Sequence, residues 1–398
     1  MFRIQTMNKI SPRGLELFPR DRYEVAGELP HPDAILVRSA DLHELKIPDT
    51  VKAIARAGAG YNNIPLEACS KRGVVVFTTP GGNANAVKEL TLAALFLASR
   101  NILQGTAWAA ALADKADAVP DLIEQGKARF AGPEIRGKIL GVVGLGAIGV
   151  MAANDALALG MEVIGYDPYI SVDAAWNLSR QVSRADTLEG LLAKSDYVSL
   201  HLPLTDTTRG FFNAEKIRYM KQGARIINLA RGGLVNEGDI IAALQAKKIA
   251  LYVTDFPSAE LLACPKAICI PHLGASTPEA EDNCAVMAVR ELMDFLETGT
   301  IKNSVNFPRC HLDRRAPHRL LVANRNIPNM VGQITTILAK EGINIMDLIN
   351  HHQGEYAYNI IDTEQEIPLV TLEQILAVEG IIRARSIKGS RNRDALEP

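Results

Sequence analysis

Two side chains of complementary chemistry each follow a short apolar run in the second half of the chain. Arg231 follows residues 225–230, and His272 comes shortly after residues 267–270. A guanidinium is a fixed positive fork that suits a carboxylate, and an imidazole is the best proton donor and acceptor near neutral pH. Glu260 is a candidate for holding that imidazole in one tautomer and favouring its charged form. The set indicates acid–base chemistry on a carboxylate-bearing substrate, although buried arginine and histidine at strand ends also serve purely structural roles.

These side chains need a scaffold that gathers distant positions, and the surrounding pattern predicts one. Short apolar runs at residues 197–200, 225–230, 251–254 and 267–270 each end in polar residues. Ligands of open α/β sheets bind outside the carboxyl ends of the strands. We therefore expect a doubly wound parallel sheet with the site along that edge.

A nucleotide-binding signature begins this sheet, within residues 138–167. A short apolar strand leads into Gly144, Gly146 and Gly149, which permit a tight turn, a close backbone approach to a pyrophosphate and tight helix packing. The following helix N-terminus offers free N–H groups to phosphates. Asp167, 18 residues after Gly149, suits a ribose diol and would repel a 2′-phosphate, which predicts NAD rather than NADP. The alternative is a glycine-rich turn in another kind of α/β protein.

The first 85 residues alternate apolar runs with polar breaks and predict a small α/β domain. Arg38 and Ser39 directly follow one run, and Ala59 and Gly60 lie in a glycine-rich loop after another. Because such loops stand at the carboxyl ends of strands, Arg38 and the loop backbone are candidate anion contacts. Ordinary βα loops with one surface arginine are the alternative.

Composition limits the remaining possibilities. A chain of 398 residues is expected to hold two or three domains. The net charge of −2 does not indicate general affinity for nucleic acid or anionic membranes. Five cysteines without a C-x-x-C pair predict neither a metal site nor a disulfide framework, and they fit a reducing compartment such as the cytoplasm.

The chain resembles the D-2-hydroxyacid dehydrogenases over residues 1 to about 307. The resemblance rests on six motifs whose order and spacing agree with the family: AGAGYNN, GLGAIG followed by Asp167, HLPLT, NLARGG, TDFPSAE and PHLGAST. It implies that Arg231 binds and polarises a 2-oxo acid, that His272 transfers the proton and that Glu260 supports His272. The implied cofactor contacts are Gly144, Gly146, Ala147, Ile148, Gly149, Asp167, Leu202, Pro203, Leu229, Ala230, Asp255, Gly274 and Ala275.

The resemblance also implies a domain order and a substrate site. A flavodoxin-like substrate-binding domain is expected from residues 1–85 and 277–305, around a Rossmann-type NAD domain at 86–276 and before a linker at 306–318. Candidates for holding a substrate phosphate are Arg38, Arg56 and Lys127, the last at a position where related enzymes reach into a neighbouring subunit's site. The implied substrate contacts are Arg38, Ser39, Ala59, Gly60, Asn85 and Lys127.

Residues 319–398 show a βαββαβ order that resembles an ACT-type regulatory domain, which binds amino acids between paired copies. The resemblance implies L-serine as an effector at Asn324, Asn326 and Asn344, and a homodimer or homotetramer. Asparagines also cap helices and form turns, which is the plainer interpretation.

A D-2-hydroxyacid dehydrogenase joined to such a domain is expected to oxidise 3-phospho-D-glycerate to 3-phosphohydroxypyruvate with NAD. This is the first step of L-serine biosynthesis. Two alternatives remain at this point: a glyoxylate or 2-oxoglutarate reductase, and an NAD-sensing regulator similar to the C-terminal-binding corepressors.

Overall fold

The computed structural model describes residues 1–388 and divides into two compact units. The first unit combines residues 1–82 with the chain from Glu281 onward, and the second spans Asn83–Ala280. The expected domain boundaries at 85/86 and 276/277 lie within a few residues of these divisions. The end of the expected last domain, residues 389–398, lies outside the described residues.

The first unit begins with a five-stranded parallel sheet in the order β2-β1-β3-β4-β5. Its central strands are almost wholly apolar because both faces are covered. The elements are β1 (Phe2–Met7), α1 (Pro12–Leu15), β2 (Tyr23–Ala26), β3 (Ala34–Val37), β4 (Ala53–Arg56), α2 (Leu66–Lys71) and β5 (Val75–Phe77).

The second unit holds a seven-stranded parallel sheet in the order β12-β11-β10-β9-β6-β7-β8. Strand order reverses on the two sides of β6, which is the switch point where dinucleotides bind in such folds. Its elements are α3 (Ala84–Ser99), α4 (Ile102–Ala110), α5 (Val119–Gly126), β6 (Ile139–Val143), α6 (Ala147–Ala158), β7 (Glu162–Tyr166), α7 (Val172–Asn177), β8 (Ser183–Arg184), α8 (Leu188–Lys194), β9 (Tyr197–Leu200), α9 (Ala214–Tyr219), β10 (Ala224–Asn228), α10 (Glu237–Gln245), β11 (Ile249–Thr254), α11 (Ala259–Leu262) and β12 (Ala267–Cys269).

The rest of the chain forms one long helix and an antiparallel sheet in the order β14-β15-β13-β16. The βαββαβ order agrees with the sequence pattern, and two helices cover one face of the sheet. The elements are α12 (Pro278–Thr298), β13 (His318–Arg325), α13 (Met330–Lys340), β14 (Ile345–Gln353), β15 (Tyr356–Thr363), α14 (Leu369–Leu376) and β16 (Ile381–Lys388).

The second face of this sheet is buried within the first unit rather than left as the surface of a separate domain. Tyr358 and Ile360 belong to the same apolar core as Leu292 and Phe295 of α12. The expected linker is also part of this core, because Phe307 is fully buried. Within residues 1–388, no helix combines the length and apolar character needed to cross a membrane.

Two arginines, buried Arg319 and half-buried Arg385, hold the last turn of α12 against the C-terminal sheet. Arg385 of β16 donates to the carbonyl oxygens of Phe295 and Leu296 at 2.5 and 3.0 Å. Arg319 of β13 donates to the carbonyl oxygen of Thr298 at 2.9 Å. The last carbonyls of a helix have no partner inside it, so these contacts complete its hydrogen bonding.

Candidate active site

The loop between β6 and α6 has the geometry that a dinucleotide requires. Gly144 has a φ of +93°, which favours glycine. A Cβ on Gly149 would lie 2.0 Å from the carbonyl oxygen of Gly144, so the close packing of helix and strand requires glycine there. Around the Cβ position of Gly146 no atom lies within 4 Å, which leaves open space where a pyrophosphate would approach.

Asp167 follows β7 at the edge of a cavity of about 300 Å³. Its carboxylate accepts from the backbone N–H groups of Leu145 and Tyr169, both at 2.8 Å. Arg184 of β8 lines the same cavity. The open glycine loop and this carboxylate fit the phosphates and the adenosine ribose of NAD.

The ends of strands β10, β11 and β12 bring three ionisable side chains together: Arg231, Asp255 and His272. Asp255 directly follows β11 and is buried, and its Oδ1 has no hydrogen-bond partner within residues 1–388. Burial raises the pKa of this carboxyl group, while the charges of His272 and Arg231 and the N–H of Gly274 oppose the rise. Side chains that follow separate strands therefore meet at one edge of the sheet, as the strand pattern predicts.

The imidazole of His272 is exposed on one side and lies against Phe256 on the other, with ring centroids 4.8 Å apart. Glu260 is exposed in the first turn of α11, which Ser258 caps. No hydrogen bond or ion pair joins Glu260 to His272 in the described part of the chain. Asp255 is the carboxylate whose charge acts on His272, and the Glu260–His272 pair stays a prediction.

Arg231 leaves β10 with an exposed side chain. Its Nη1 donates to the carbonyl oxygen of Ala230 at 2.6 Å, and its own carbonyl oxygen accepts from buried Asn228 at 2.9 Å. The backbone is therefore fixed while the outer part of the guanidinium faces solvent. This is the arrangement that an anionic ligand can use.

A second group of basic side chains stands at the carboxyl ends of β3 and β4 in the first unit. Arg38 donates to Oε1 of Glu281 at 2.6 Å. Arg56 donates from Nε to Asn63 at 3.2 Å, and its Nη1 would lie 2.3 Å from a Cβ on Gly58. The structure thus places Arg56 against the predicted glycine-rich loop. The charges of both arginines lower the pKa of the Cys284 thiol in α12, which burial raises.

Comparison with known proteins agrees with this geometry. Residues 92–274 match the family described as D-isomer specific 2-hydroxyacid dehydrogenase, NAD binding domain. D-3-phosphoglycerate dehydrogenase from Methanocaldococcus jannaschii is 32% identical over 391 residues, covering 94% of this chain and 70% of that protein. The enzyme of the same name from Bacillus subtilis is 31% identical, covering 90% and 68%. The chain belongs to the D-isomer specific 2-hydroxyacid dehydrogenases.

Solved structures of this family show the same fold. The NAD⁺-bound 3-phosphoglycerate dehydrogenase of Entamoeba histolytica aligns with a TM-score of 0.60 and 26% identity, over 77% of this chain and 98% of that one. The chain spans about half, 54%, of a further relative, the D-3-phosphoglycerate dehydrogenase of Archaeoglobus fulgidus, which is 34% identical over 300 residues. The chain is accordingly an NAD-dependent dehydrogenase of this family.

The remaining predicted cofactor residues belong to the glycine loop or to the loops that follow the strands. A Cβ on Gly144 would lie 2.8 Å from the carbonyl oxygen of His201 and 3.1 Å from Leu202. Burial lowers the pKa of His201 to about 4, and the Ser199 hydroxyl lies 2.9 Å from its Nε2, so this histidine stays neutral and structural. Ala147 and Ile148 lie in the first turn of α6, and Leu229 and Ala230 directly follow β10. Pro203 and Ala275 lie in the loops after β9 and β12, and the cofactor contacts of these residues stay predictions.

Two predicted substrate residues belong to the second unit, and their side chains pair with neighbours in their own helical segments. Asn85 of α3 donates to Glu89 at 2.8 Å. Lys127 follows α5, is exposed and pairs with Glu124. The contacts of residues 1–388 do not join either of them to Arg231 or His272, so their roles stay predictions.

The three predicted effector residues do not gather within one copy. Asn324 is buried, and its amide is engaged by Asn359 at 2.7 Å and by the carbonyl oxygen of Arg325 at 2.6 Å. Asn326 bonds to the turn after β14, whereas Asn344 precedes β14 at the opposite end of the sheet. The amide of Asn324 thus serves at least in part to join neighbouring strands, and the effector roles of all three residues stay predictions.

Sequence reasoning missed Phe256 and Arg184. Phe256 directly follows Asp255, so an aromatic residue next to a strand-end acid was a usable signal. Arg184 lies 17 residues after Asp167 and joins its cavity only because β8 pairs with β7. No local pattern reveals that pairing.

Proposed function

We propose that this chain catalyses the NAD-dependent oxidation of 3-phospho-D-glycerate to 3-phosphohydroxypyruvate, the first step of L-serine biosynthesis, in the cytoplasm. The observation that carries the proposal is the grouping of Arg231, Asp255 and His272 at the carboxyl edge of a sheet with an intact dinucleotide loop. The named relatives support the choice of substrate.

The chemistry follows from the properties of these side chains. Bound NAD supplies the hydride acceptor. Neutral His272 accepts the proton of the substrate hydroxyl group, and the negative charge of Asp255 stabilises the resulting imidazolium. Arg231 binds the substrate carboxylate and polarises the developing carbonyl oxygen. Glu260 is expected to assist His272 once a substrate orders the site.

The phosphate of the substrate needs cations in addition to these groups. Arg38 and Arg56 offer guanidinium groups at neighbouring strand ends of the first unit. Lys127 is expected to act on the site of a neighbouring subunit. A lost charge-assisted contact costs about 1.5–3 kcal/mol, so Lys127→Ala should raise KM for the phosphorylated substrate only.

A substrate panel tests the proposed activity. Initial rates would be compared for 3-phosphoglycerate, D-glycerate and D-2-hydroxyglutarate with NAD, and for the corresponding 2-oxo acids and glyoxylate with NADH. We expect the phosphorylated pair to show the highest kcat/KM. Preference for glyoxylate or 2-oxoglutarate would replace the proposed substrate, and the absence of turnover with any of them would favour an NAD-sensing role.

We further propose that L-serine binds at paired C-terminal sheets and lowers activity. Because Asn326 and Asn344 lie at opposite ends of one sheet, a shared pocket requires a second copy, as in a homodimer or homotetramer. Coupling to the active site is expected to be on the order of 1–3 kcal/mol. Calorimetry with L-serine on wild type and Asn344→Ala tests this, and no heat of binding in wild type would contradict it.

A further inference from the structure

The ion pair between Arg38 and Glu281 stands where a substrate anion is expected. Arg38 directly follows β3, and Glu281 lies in the first turn of α12 within the same unit. Their side chains are 2.6 Å apart and 39% and 42% exposed. An exposed pair of this kind contributes only about 0–1 kcal/mol, so a stronger anion can displace it.

The neighbouring arginine is held in a different way. Arg56 donates to the neutral amide of Asn63 at 3.2 Å and lies against the backbone of Gly58. An amide oxygen carries no net charge, so it does not compete electrostatically with a phosphate for the guanidinium.

We propose that Glu281 is a specificity-determining residue that acts as an internal counter-anion for Arg38. Its carboxylate neutralises Arg38 in the empty site and competes with a phosphate monoester for the guanidinium. A phosphoryl group with a charge of about −1.5 to −2 outcompetes the single charge of Glu281. Glu281 thereby weakens the binding of phosphorylated substrate and product, and it speeds their release.

This inference rests on the proposed function, because it assigns Arg38 to the substrate phosphate. Competition by Glu281 and a positioning role for Glu281 predict opposite changes in phosphate affinity. If Glu281 competes, removing its charge tightens phosphate binding; if it only orients Arg38 for the substrate, removing its charge weakens binding. Ligands that do not engage Arg38 should be unaffected under competition.

Asp282 provides the matched control. It is the next residue in α12 and accepts from Ser11 at 2.5 Å and from Arg13 at 3.2 Å. Asp282→Asn therefore removes the same unit of charge from the same turn without freeing Arg38. An effect common to both variants would reflect net charge alone.

The first measurement is a calorimetric titration with inorganic phosphate at constant ionic strength, which needs no turnover. Glu281→Gln should bind phosphate about two- to fivefold more tightly than wild type, the range expected for an exposed pair. Asp282→Asn should bind it as wild type does. In an Arg38→Ala background the Glu281→Gln substitution should have no effect. Equal or weaker phosphate binding in Glu281→Gln would overturn the proposal, whatever the enzyme oxidises.

The second measurement is steady-state kinetics. Glu281→Gln should lower KM for 3-phosphoglycerate about two- to fivefold and leave KM for D-glycerate unchanged. An equal fall in both KM values would contradict a phosphate-specific role. Failure of the wild type to oxidise 3-phosphoglycerate would overturn the proposed function and leave the result of the phosphate titration standing.

Discussion

The arginines of the C-terminal sheet and those of the candidate site use their hydrogen-bond donors in opposite ways. Arg319 is fully buried, bonds to Asp362 at 2.6 and 2.9 Å and also donates to two backbone carbonyl oxygens. Arg231 is exposed and donates to one carbonyl oxygen of its own loop. Burial forces a guanidinium to satisfy its donors within the protein, whereas a ligand-binding arginine keeps them available.

The largest expected effect is a loss of activity without a loss of stability, on substitution of His272. His272→Asn removes the proton acceptor and should lower kcat by roughly 10²–10⁴. Because the imidazole is exposed and stacks on the half-buried ring of Phe256, the melting temperature should change little. Stopped-flow NADH binding and thermal unfolding provide the controls, and a large fall in stability would place His272 among the structural residues.

A loss of stability without a loss of activity is expected at the buried ion pair of Arg319 and Asp362. Arg319→Met leaves the Asp362 carboxylate buried without its partner, which should cost about 3–5 kcal/mol of unfolding free energy. The kcat of the folded fraction should remain unchanged. Denaturant unfolding measures the loss.

A double substitution supplies the control for this pair. Arg319→Met with Asp362→Leu removes both charges and should recover much of the lost stability. If the double variant is as unstable as the single one, the backbone contacts of Arg319 matter more than its ion pair.

Glu291 of α12 differs from these arginines, because it is a buried acidic residue whose second carboxyl oxygen has no partner within residues 1–388. Its Oε1 accepts from Asn303 at 2.5 Å, while Oε2 has no partner within residues 1–388. Burial raises the pKa of this carboxyl group to about 8. The folded protein thus keeps a proton that the unfolded chain loses at lower pH.

This difference predicts how stability depends on pH. Since the folded state binds more protons between the unfolded and folded pKa values, the unfolding free energy should fall as pH rises through that window and level off above about pH 8. The total is roughly 3–5 kcal/mol. Glu291→Gln should remove this slope, as measured by denaturant unfolding from pH 5 to 9. An unchanged slope would mean that Glu291 is solvated.

The smallest expected effect concerns cofactor choice. Asp167 should favour NAD, and Asp167→Ser should shift the ratio of kcat/KM for NADP to that for NAD by roughly 10–100-fold, equivalent to losing one charge-assisted contact. Arg184 in the same cavity is available to the added 2′-phosphate. Asp186 is a second acidic residue that lines this cavity, so Asp186→Ser serves as the control. Comparable use of both cofactors by wild type would show that Asp167 does not contact the ribose.

Features set by short-range geometry could be predicted from the sequence. The spacing of Gly144, Gly146 and Gly149 dictates a turn that admits little else, and the strand-end positions of Arg231 and His272 follow from the parallel sheet. The backbone determines these features, and its periodicity is visible in the residues.

Features set by long side chains could not be predicted. Arg38 and Glu281 are separated by 243 residues, and their contact depends on the rotamers of two long side chains, one after β3 and one in α12. The buried hydrogen bond between Asn324 and Asn359 likewise depends on the strand register, which no local sequence pattern reveals. The order βαββαβ likewise carried no sign that the second face of the sheet is buried in the first unit.

That shared core has a consequence for the modular design of such enzymes. A truncated chain ending near Cys310 would lose Leu321, Tyr358 and Ile360 from the core that surrounds Phe295, and the end of α12 would lose both capping arginines. The freed apolar surface would favour aggregation. In this chain the C-terminal sheet is therefore unsuited to removal or exchange as an independent cassette, and chimeras should keep it together with α12.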